Sequence, residues 1–329
     1  MRTTNLIAGL AIMTICGCAE HRGSSPSRAA ATDAWTDKSP HKVGFITVNG
    51  VRLHYLDWGG SGGTLLLLAG MGSTAHIYDD LAPKFTDRFH VLGLTRRGFG
   101  QSEKPETGYD TATLVDDIRQ FLEAMKIQRV VLVGHSLAGD ELTMFAAKYP
   151  QQVEKLVYLD AAYDHSTMTF RDELDALWTP FPEHDDKAYD ASKAWCEKFY
   201  RVMTPAVEAD FRETNVLRDD GRLEDATPER VYKALLKSAQ PHPAYSQVKA
   251  PALSFYADES WPDLIPKENR EKATIVLKAW RQWATIERER FHQGMPHARI
   301  VVMPDTSHFC FIQREGEVVR EMRAFLLQR

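Results

Sequence analysis

The residues best suited to chemistry lie in the stretch Arg129-Val-Val-Leu-Val-Gly-His-Ser136-Leu-Ala-Gly139. Its apolar, β-branched first half predicts a strand buried on both faces, and the residues after Gly139 follow a helical pattern with Leu142 and Phe145 on the inner side. A sharp turn between strand and helix would hold Ser136 at its apex, with the hydroxyl above the sheet edge and the first helical N–H groups aimed at it. The sequence therefore predicts a serine placed as a nucleophile.

This strand, turn and helix pattern resembles the nucleophile elbow of the α/β-hydrolase family. Where the family usually has the second glycine of Gly-x-Ser-x-Gly, this chain has Ala138, a small residue that suits the same turn. The resemblance extends over about residues 43–329. It implies an α/β fold with a mostly parallel eight-stranded sheet flanked by helices and a helical cap inserted after strand 6.

The resemblance also implies a histidine after the last strand, where this chain has His308 in the segment Asp-Thr-Ser-His. A serine hydroxyl is a poor nucleophile until a base takes its proton, so His308 is the expected base. The acid that orients the imidazole is open. Asp258, just after the seventh strand, is preferred to Asp160 at the end of the sixth, and Glu259 is a third candidate. The family's Gly-x-x-Asp spacing would instead place the acid at Ser260.

Acyl transfer by a serine also needs N–H donors for the negative oxygen of the tetrahedral intermediate. By position, the resemblance implies Leu137, which follows the nucleophile, and Met71, in the loop after an early buried strand. The family commonly has His-Gly where this chain has Ala69-Gly70. The supporting hydrogen bonds of that histidine would be missing, but the main-chain donor remains.

A second glycine-containing loop, Thr95-Arg-Arg-Gly-Phe-Gly-Gln-Ser102, resembles the family's Asp-x-Arg-Gly-x-Gly-x-Ser, with threonine in place of the acid. Read alone it could be taken for a loop that binds phosphate. It lacks both the Gly-x-Gly-x-x-Gly spacing and a Lys-Ser/Thr ending, which argues against a nucleotide site.

Ser136 distinguishes the expected chemistry from that of relatives that dehalogenate alkanes or open epoxides, which have aspartate at the elbow. We expect hydrolysis of a carboxylic ester or lactone of a small, apolar substrate through an acyl-enzyme, with no cofactor. Two alternatives stay open. A pocket acid such as Glu141 that reads a substrate amine would favour an aminopeptidase-type amidase. The departures at Ala69 and Thr95, with the uncertain acid, would fit a binding protein without catalysis.

The elements that must position these groups alternate between strands and helices. Gly44–Val48 and Val51–Asp57 flank an Asn-Gly turn, the strongest short hairpin signal. Later strands alternate with helices, which predicts right-handed crossovers and a mostly parallel sheet. The alternation stops over 163–248, a stretch with helical segments, prolines and aromatic residues. The hydrolase core is therefore predicted at 43–162 and 249–329, with 163–248 as the helical cap.

The first 18 residues resemble a bacterial lipoprotein signal. Met1-Arg2 is positively charged, Leu6–Ile15 is apolar but too short to span a bilayer, and Gly17 precedes Cys18. The resemblance implies acylation of Cys18, export, and attachment to the membrane through the lipid. Cleavage and secretion without a lipid is the alternative. Residues 19–42, rich in Ser, Ala, Thr and Pro, predict a flexible linker.

The composition narrows the remaining classes of function. The chain has 329 residues, of which 43% are hydrophobic and 26% charged, as in ordinary globular proteins. A net charge of -5 and the lack of a Lys/Arg block argue against nucleic acid, and no protein partner is evident. The sequence contains neither a Cys-x-x-Cys nor a His-Glu-x-x-His pattern, so no motif in it indicates a bound metal. Cys196 and Cys310 could form a disulfide in an oxidising compartment or be two separate buried thiols.

Overall fold

One eight-stranded sheet organises the computed structural model, which describes residues 36–177, 188–218, 223–238, 242–259 and 265–328. The described strands are β1 (Lys42–Val48), β2 (Val51–Gly59), β3 (Gly63–Leu68), β4 (Phe89–Leu94), β5 (Val130–His135), β6 (Val153–Leu159), β7 (Asn215–Leu217), β8 (Leu223–Asp225), β9 (Ala252–Glu259) and β10 (Arg299–Thr306). The sheet has the order β1-β2-β4-β3-β5-β6-β9-β10, while β7 and β8 form a separate pair. Within the sheet, β2 runs antiparallel to both of its neighbours, β1 and β4, and the other described strand pairs are parallel. The predicted mostly parallel sheet is confirmed.

Both faces of this sheet are buried, because its inner strands are apolar on both sides. Successive side chains of a strand point to opposite faces. In β5, Val130 and Leu132 therefore join one hydrophobic core, while Val131 and Val133 join the other. The four leucines at 65–68 in β3 divide in the same way. The two cores hold the carboxyl ends of these strands in place as the base for the loops that follow them.

Helices flank the sheet, as the resemblance implies. They are α1 (Thr111–Ala124), α2 (Ala138–Lys148), α3 (Arg171–Asp175), α4 (Ala188–Tyr200), α5 (Pro205–Thr214), α6 (Glu229–Ser238), α7 (Arg270–Gly294), α8 (Cys310–Gln313) and α9 (Glu315–Leu326). Short 3-10 helices cover Ala75–Tyr78, Ala82–Phe85, His165–Thr167, Tyr245–Gln247 and Lys267–Asn269. No helix among the described residues combines the length and apolar character needed to cross a bilayer.

The segment predicted as a helical cap, residues 163–248, contains α3 to α6 and also the short β7 and β8 pair, which the sequence analysis did not include. Two contacts show which part of the core it touches. Asp210 of α5 accepts hydrogen bonds from the N–H and hydroxyl of Thr74 at 2.6 and 2.8 Å. The ring of Tyr200 lies 4.4 Å from that of Phe309, centroid to centroid. The segment therefore contacts the loops that follow β3 and β10.

The amino-terminal part of the chain departs from prediction at one boundary. The proposed signal with Cys18 and most of the predicted linker lie outside the described residues. The linker was expected to reach residue 42, but Lys42 begins β1 and the buried side chain of His41 lies 2.8 Å from Asp79. The prediction is wrong for these last residues, because a histidine that pairs with a buried carboxylate is held by the core.

The two cysteines among the described residues are separate thiols. Cys196 lies in α4 and Cys310 begins α8; both are buried, and no disulfide joins them. Burial raises the pKa of the Cys196 thiol well above its ordinary value, so the group stays uncharged. Of the two arrangements that the sequence left open, the structure has the separate buried thiols.

The tight contact between α2 and the end of β6 yields a stability prediction. A Cβ added to Gly139 would lie 1.8 Å from the main-chain oxygen of Ala161, whereas a Cβ on Gly316 in α9 would meet nothing within 4 Å. Gly139→Ala should lower the free energy of unfolding by about 3 kcal/mol, measured by urea denaturation, because main chain must move to make room. Gly316→Ala is the matched control and should be neutral or add up to ~1 kcal/mol. Equal stability of the two variants would contradict this close packing.

Candidate active site

Ser136 occupies the sharp turn between β5 and α2. Its φ of 54° lies in the left-handed region, which is costly for any residue other than glycine. Small neighbours permit the turn, since a Cβ on Gly134 would lie 2.7 Å from Leu142 of α2. The Ser136 N–H donates to the main-chain oxygen of Leu159 at 3.4 Å, which fixes the turn against the end of β6. The local sequence thus folds as the elbow predicted for it.

His308 is joined to Asp160 by a hydrogen bond of 2.7 Å between Nδ1 and Oδ2. Asp160 is fully buried and follows the last residue of β6. Its other oxygen accepts hydrogen bonds from the hydroxyl of Tyr163 at 2.5 Å and from the N–H of Ala257 at 2.9 Å. The carboxylate is therefore held from three sides, which fixes the direction in which it meets the imidazole.

Asp258, the acid preferred from the sequence, lies elsewhere, and that preference is wrong. Its side chain is 46% exposed and accepts a hydrogen bond of 3.2 Å from Arg281. The physical reason is the length of β9, which continues to Glu259, so that Asp258 lies within the strand and pairs in register with Pro304 of β10. Asp160, the alternative, is the residue that contacts His308.

The register of the parallel strands brings serine and acid to the same edge of the sheet. His135 and Leu159 are partners in the β5 and β6 pair, so the residues that follow them, Ser136 and Asp160, leave the sheet side by side. His308 comes from the loop between β10 and α8. Asp160 and His308 are thus brought into contact from distant points of the chain, and Ser136 leaves the sheet beside Asp160.

His135 holds His308 from the opposite side, a role that sequence reasoning missed. Its Nε2 donates to the main-chain oxygen of His308 at 3.0 Å, and the two rings lie 4.4 Å apart, centroid to centroid. Complete burial, with a smaller contribution from His308, holds the pKa of His135 well below its ordinary value of 6.5. The neutral ring is a fixed hydrogen-bond donor. The position of His135 directly before Ser136 was the sequence signal that could have identified this role.

Met71 and Leu137, the expected oxyanion donors, lie in two loops that touch. A Cβ on Gly70 would be 3.1 Å from the Cβ of Ser136, which places the loop after β3 directly beside the elbow. Within the described ranges, neither the Met71 N–H nor the Leu137 N–H donates to another main-chain group. Both loops therefore border Ser136.

A buried arginine supports the loop in which the family's histidine is missing. Arg96 donates to the main-chain oxygens of Ala69 at 2.9 Å and Gly70 at 3.3 Å. It also forms a 2.6 Å ion pair with Glu141 of α2. Arg96 therefore ties the loop after β3 to the helix that follows the nucleophile. The sequence analysis considered this arginine only as part of a glycine loop and missed its role.

The arrangement contains a serine hydroxyl at a strained turn and an imidazole fixed by a buried carboxylate, which are group types that acyl transfer uses. No other charged side chain is needed for that chemistry. Two clusters of described His, Asp and Glu residues are close enough to share a metal ion, and neither includes Ser136, His308 or Asp160.

Comparisons with known proteins agree with this fold. Residues 63–315 match the family described as alpha/beta hydrolase fold. A 2-(acetamidomethylene)succinate hydrolase from Mesorhizobium japonicum is 37% identical over 118 residues, which are 36% of this chain and 40% of that protein. A soluble epoxide hydrolase from Corynebacterium sp. is 34% identical over 113 residues, which are 34% of this chain and 39% of that protein. The chain thus spans less than half the length of these curated relatives.

A solved structure extends the similarity to most of the chain. The crystal structure of E-2-(acetamidomethylene)succinate hydrolase has a TM-score of 0.68 and 22% sequence identity, covering 87% of this chain and 99% of that one. At this identity the likeness is one of fold. The two curated relatives that match by sequence are both named as hydrolases.

The contrast between the two aspartates gives a direct test of the acid. Asp160→Asn should slow the labelling of Ser136 by a fluorophosphonate by about 10²–10⁴-fold, because His308 loses the charge that orients and stabilises it as a base. Asp258→Asn is the matched control and should label at the wild-type rate. The rates are measured by mass spectrometry of the intact protein. A slow Asp258→Asn variant beside a fast Asp160→Asn variant would reverse the assignment.

His135 should make the protein less stable in acid. Because its pKa is lowered in the folded state, the unfolded chain alone binds a proton there below about pH 6.5, so stability falls as the pH drops. His135→Gln retains a donor but cannot titrate. Between about pH 7.5 and 5.5 the wild type should lose ~1 kcal/mol more free energy of unfolding than this variant, measured with urea. His297→Gln, at an exposed histidine, should follow the wild type; equal losses in all three would refute the claim.

Proposed function

We propose that this chain, which belongs to the α/β-hydrolase family, is a serine hydrolase that cleaves a carboxylic ester or lactone through an acyl-enzyme on Ser136. The observation that carries the proposal is the hydrogen bond between His308 and the buried Asp160, next to a serine at the elbow. A serine activated in this way attacks acyl carbons. The relatives named as hydrolases support hydrolysis in general, and a serine nucleophile favours an ester or lactone as the substrate.

In the proposed mechanism each group has one step. Asp160 engages Nδ1 of His308, which leaves Nε2 to take the proton of Ser136 as the hydroxyl oxygen attacks the carbonyl carbon. The carbonyl oxygen becomes negative and accepts hydrogen bonds from the N–H groups of Met71 and Leu137. When the intermediate collapses, the imidazolium returns the proton to the leaving alcohol. Water then repeats the sequence on the acyl-enzyme and releases the acid.

Ser136 favours acyl chemistry over the reaction named for the Corynebacterium relative, an epoxide hydrolase. Opening an epoxide in this family uses aspartate as nucleophile, because the resulting ester can be hydrolysed afterwards. An ether formed on a serine oxygen by ring opening would offer water no such carbonyl. The elbow position, which decides between the two reactions, is a serine in this chain.

The side chains beside the oxyanion donors favour an apolar acyl or alcohol group. Met71 and Leu137 belong to an apolar cluster with Phe99 of the loop after β4 and with Val231 and Tyr232 of α6. A substrate carbonyl that reached the two N–H groups would lie against this cluster. Apolar contact there would contribute about 25 cal/mol per Å² of buried apolar surface.

A second candidate is hydrolysis of an amide. The matched relative from Mesorhizobium japonicum is named for a substrate that carries an acetamido group. The aminopeptidase-type version loses support from the structure, because Glu141, suggested as the residue that reads an amine, is buried and paired with Arg96. The aminopeptidase-type version would then need a carboxylate of the inserted segment 163–248 to bind the amine, whereas an amide without a free amine needs no such residue.

Ser136→Ala should reduce turnover of p-nitrophenyl esters by roughly 10³-fold or more, because no other group can form the acyl-enzyme. The melting temperature and circular dichroism should stay close to wild type, since the change removes one oxygen atom. Ser246→Ala, at an exposed serine, is the matched control and should keep full activity. Turnover that survives in Ser136→Ala would eliminate the mechanism.

The same assay separates the two candidate reactions. We expect the wild type to cleave p-nitrophenyl esters with a higher kcat/KM than the p-nitroanilides of the same acyl groups, tested over a series of increasing acyl chain length. Faster, Ser136-dependent cleavage of the anilides would overturn the ester proposal in favour of the amide candidate. Loss of fluorophosphonate labelling together with no turnover of either series would favour a binding protein without catalysis.

A further inference from the structure

A second group of chemically active side chains lies where the chain enters the fold. It comprises Asp37 and His41, just before β1, with His76 and Asp79 from the turn around the 3-10 helix Ala75–Tyr78. We refer to these four residues as the histidine–aspartate cluster. Their nearest ligand atoms all lie within 4.8 Å of one another, and His76 and Asp79 are buried.

The distances within the histidine–aspartate cluster approach those of a metal site. Asp37 Oδ2 lies 3.4 Å from His76 Nδ1 and 3.5 Å from His41 Nε2. Asp79 lies 2.8 Å from Nδ1 of each histidine through its two different oxygens. In a tetrahedral Zn²⁺ site with bonds of about 2.0–2.1 Å, the ligand atoms are separated by about 3.3 Å. A small movement of Asp79 away from the two histidines would lengthen its 2.8 Å contacts to that separation.

An outer layer of partners surrounds the histidine–aspartate cluster. Glu213 of α5 is buried and places Oε2 2.9 Å from His76 Nε2. Trp58 Nε1 donates to Asp79 Oδ1 at 3.0 Å. A carboxylate that holds the far nitrogen of a histidine and turns the near nitrogen toward the ligand is the usual support of a metal-binding imidazole. This layer is what distinguishes the cluster from a chance meeting of charged groups.

The two carboxylates of the histidine–aspartate cluster favour a cation between the side chains. Glu213 Oε2 lies next to Nε2 of His76, and Nδ1 faces the carboxylates of Asp37 and Asp79, which accept hydrogen bonds and cannot donate them. Asp37 Oδ2 is buried and has no hydrogen-bond partner in the part of the chain that the structure describes.

We propose that the histidine–aspartate cluster is a binding site for a divalent transition-metal ion, with Zn²⁺ as the ion that fits best. Two imidazoles and two carboxylates are a tetrahedral ligand set for Zn²⁺, and the two negative charges balance the ion. Ca²⁺ and Mg²⁺ prefer sites made only of oxygen ligands. The ligands lie on separate segments, which is why the sequence analysis found no metal motif.

The position of the site indicates a structural ion. Asp37 and His41 belong to the segment that leads into β1, while His76 and Asp79 follow the loop that carries Met71. Glu213 extends the connection to α5 of the inserted segment. The ion would therefore fasten the entering chain and the inserted segment to the loop beside the elbow. The inference does not depend on the function proposed for Ser136.

Zinc binding is tested on the full chain, stripped with a chelator and dialysed against one equivalent of Zn²⁺. Elemental analysis after gel filtration should find about one zinc per chain, and zinc should raise the melting temperature of the stripped protein. Asp37→Asn and His41→Ala should weaken binding by more than the 10–100-fold typical of outer-layer changes, and Glu213→Gln by about 10–100-fold. His90→Ala is the matched control, because His90 forms a similar 2.9 Å pair with Asp57 outside the cluster.

Two results would overturn the proposal. One is a wild-type chain that retains no stoichiometric zinc and whose melting temperature does not respond to it; His76 would then carry the positive charge itself as imidazolium. The other is zinc binding that Asp37→Asn and His41→Ala leave unchanged, which would place the ion elsewhere. Co²⁺ substitution gives a second readout that does not rely on stability, since tetrahedral Co²⁺ absorbs visible light and the signal should disappear in the same two variants.

Discussion

The hydrogen bond between His308 and the buried carboxylate of Asp160 is the interaction on which the candidate active site depends. A carboxylate in the protein interior is stable only when its oxygens are engaged. Here Tyr163 and the main-chain N–H of Ala257 hold one oxygen, and the imidazole takes the other. The rigid acid fixes the ring, and the fixed ring can act as a base toward Ser136. The orientation of the base is thus built into the core of the sheet.

The parallel sheet makes this meeting possible, because it gathers distant parts of the chain at one edge. Ser136 and Asp160 leave neighbouring strands side by side, and His308 arrives from the far end of the chain. Supports outside the triad hold the loops around it. His135 holds the main chain of His308, and Arg96 holds the loop that carries Met71. A single buried arginine thereby provides hydrogen bonds to a loop that lacks the family's histidine.

What could be predicted from the sequence was encoded locally. The order of strands and helices and the elbow at Ser136 follow from patterns a few residues long, and so does the hairpin at Asn49-Gly50. The acid depended on where β6 and β9 end in space, which no local pattern reports, and Asp258 was preferred wrongly. His135 and Arg96 were missed because their partners lie far away along the chain. The same distance hid the contacts of His41 with His76 and Asp79.

The most direct test of the account is to locate the acyl group on the protein. A p-nitrophenyl carbamate transfers a carbamoyl group that serine hydrolases release slowly, so the modified enzyme can be digested and its peptides analysed by mass spectrometry. The account predicts one carbamoyl group per chain, on the peptide that contains Ser136, formed with release of one equivalent of p-nitrophenol. A carbamoyl group on a different residue, or release of p-nitrophenol without modification of Ser136, would contradict it.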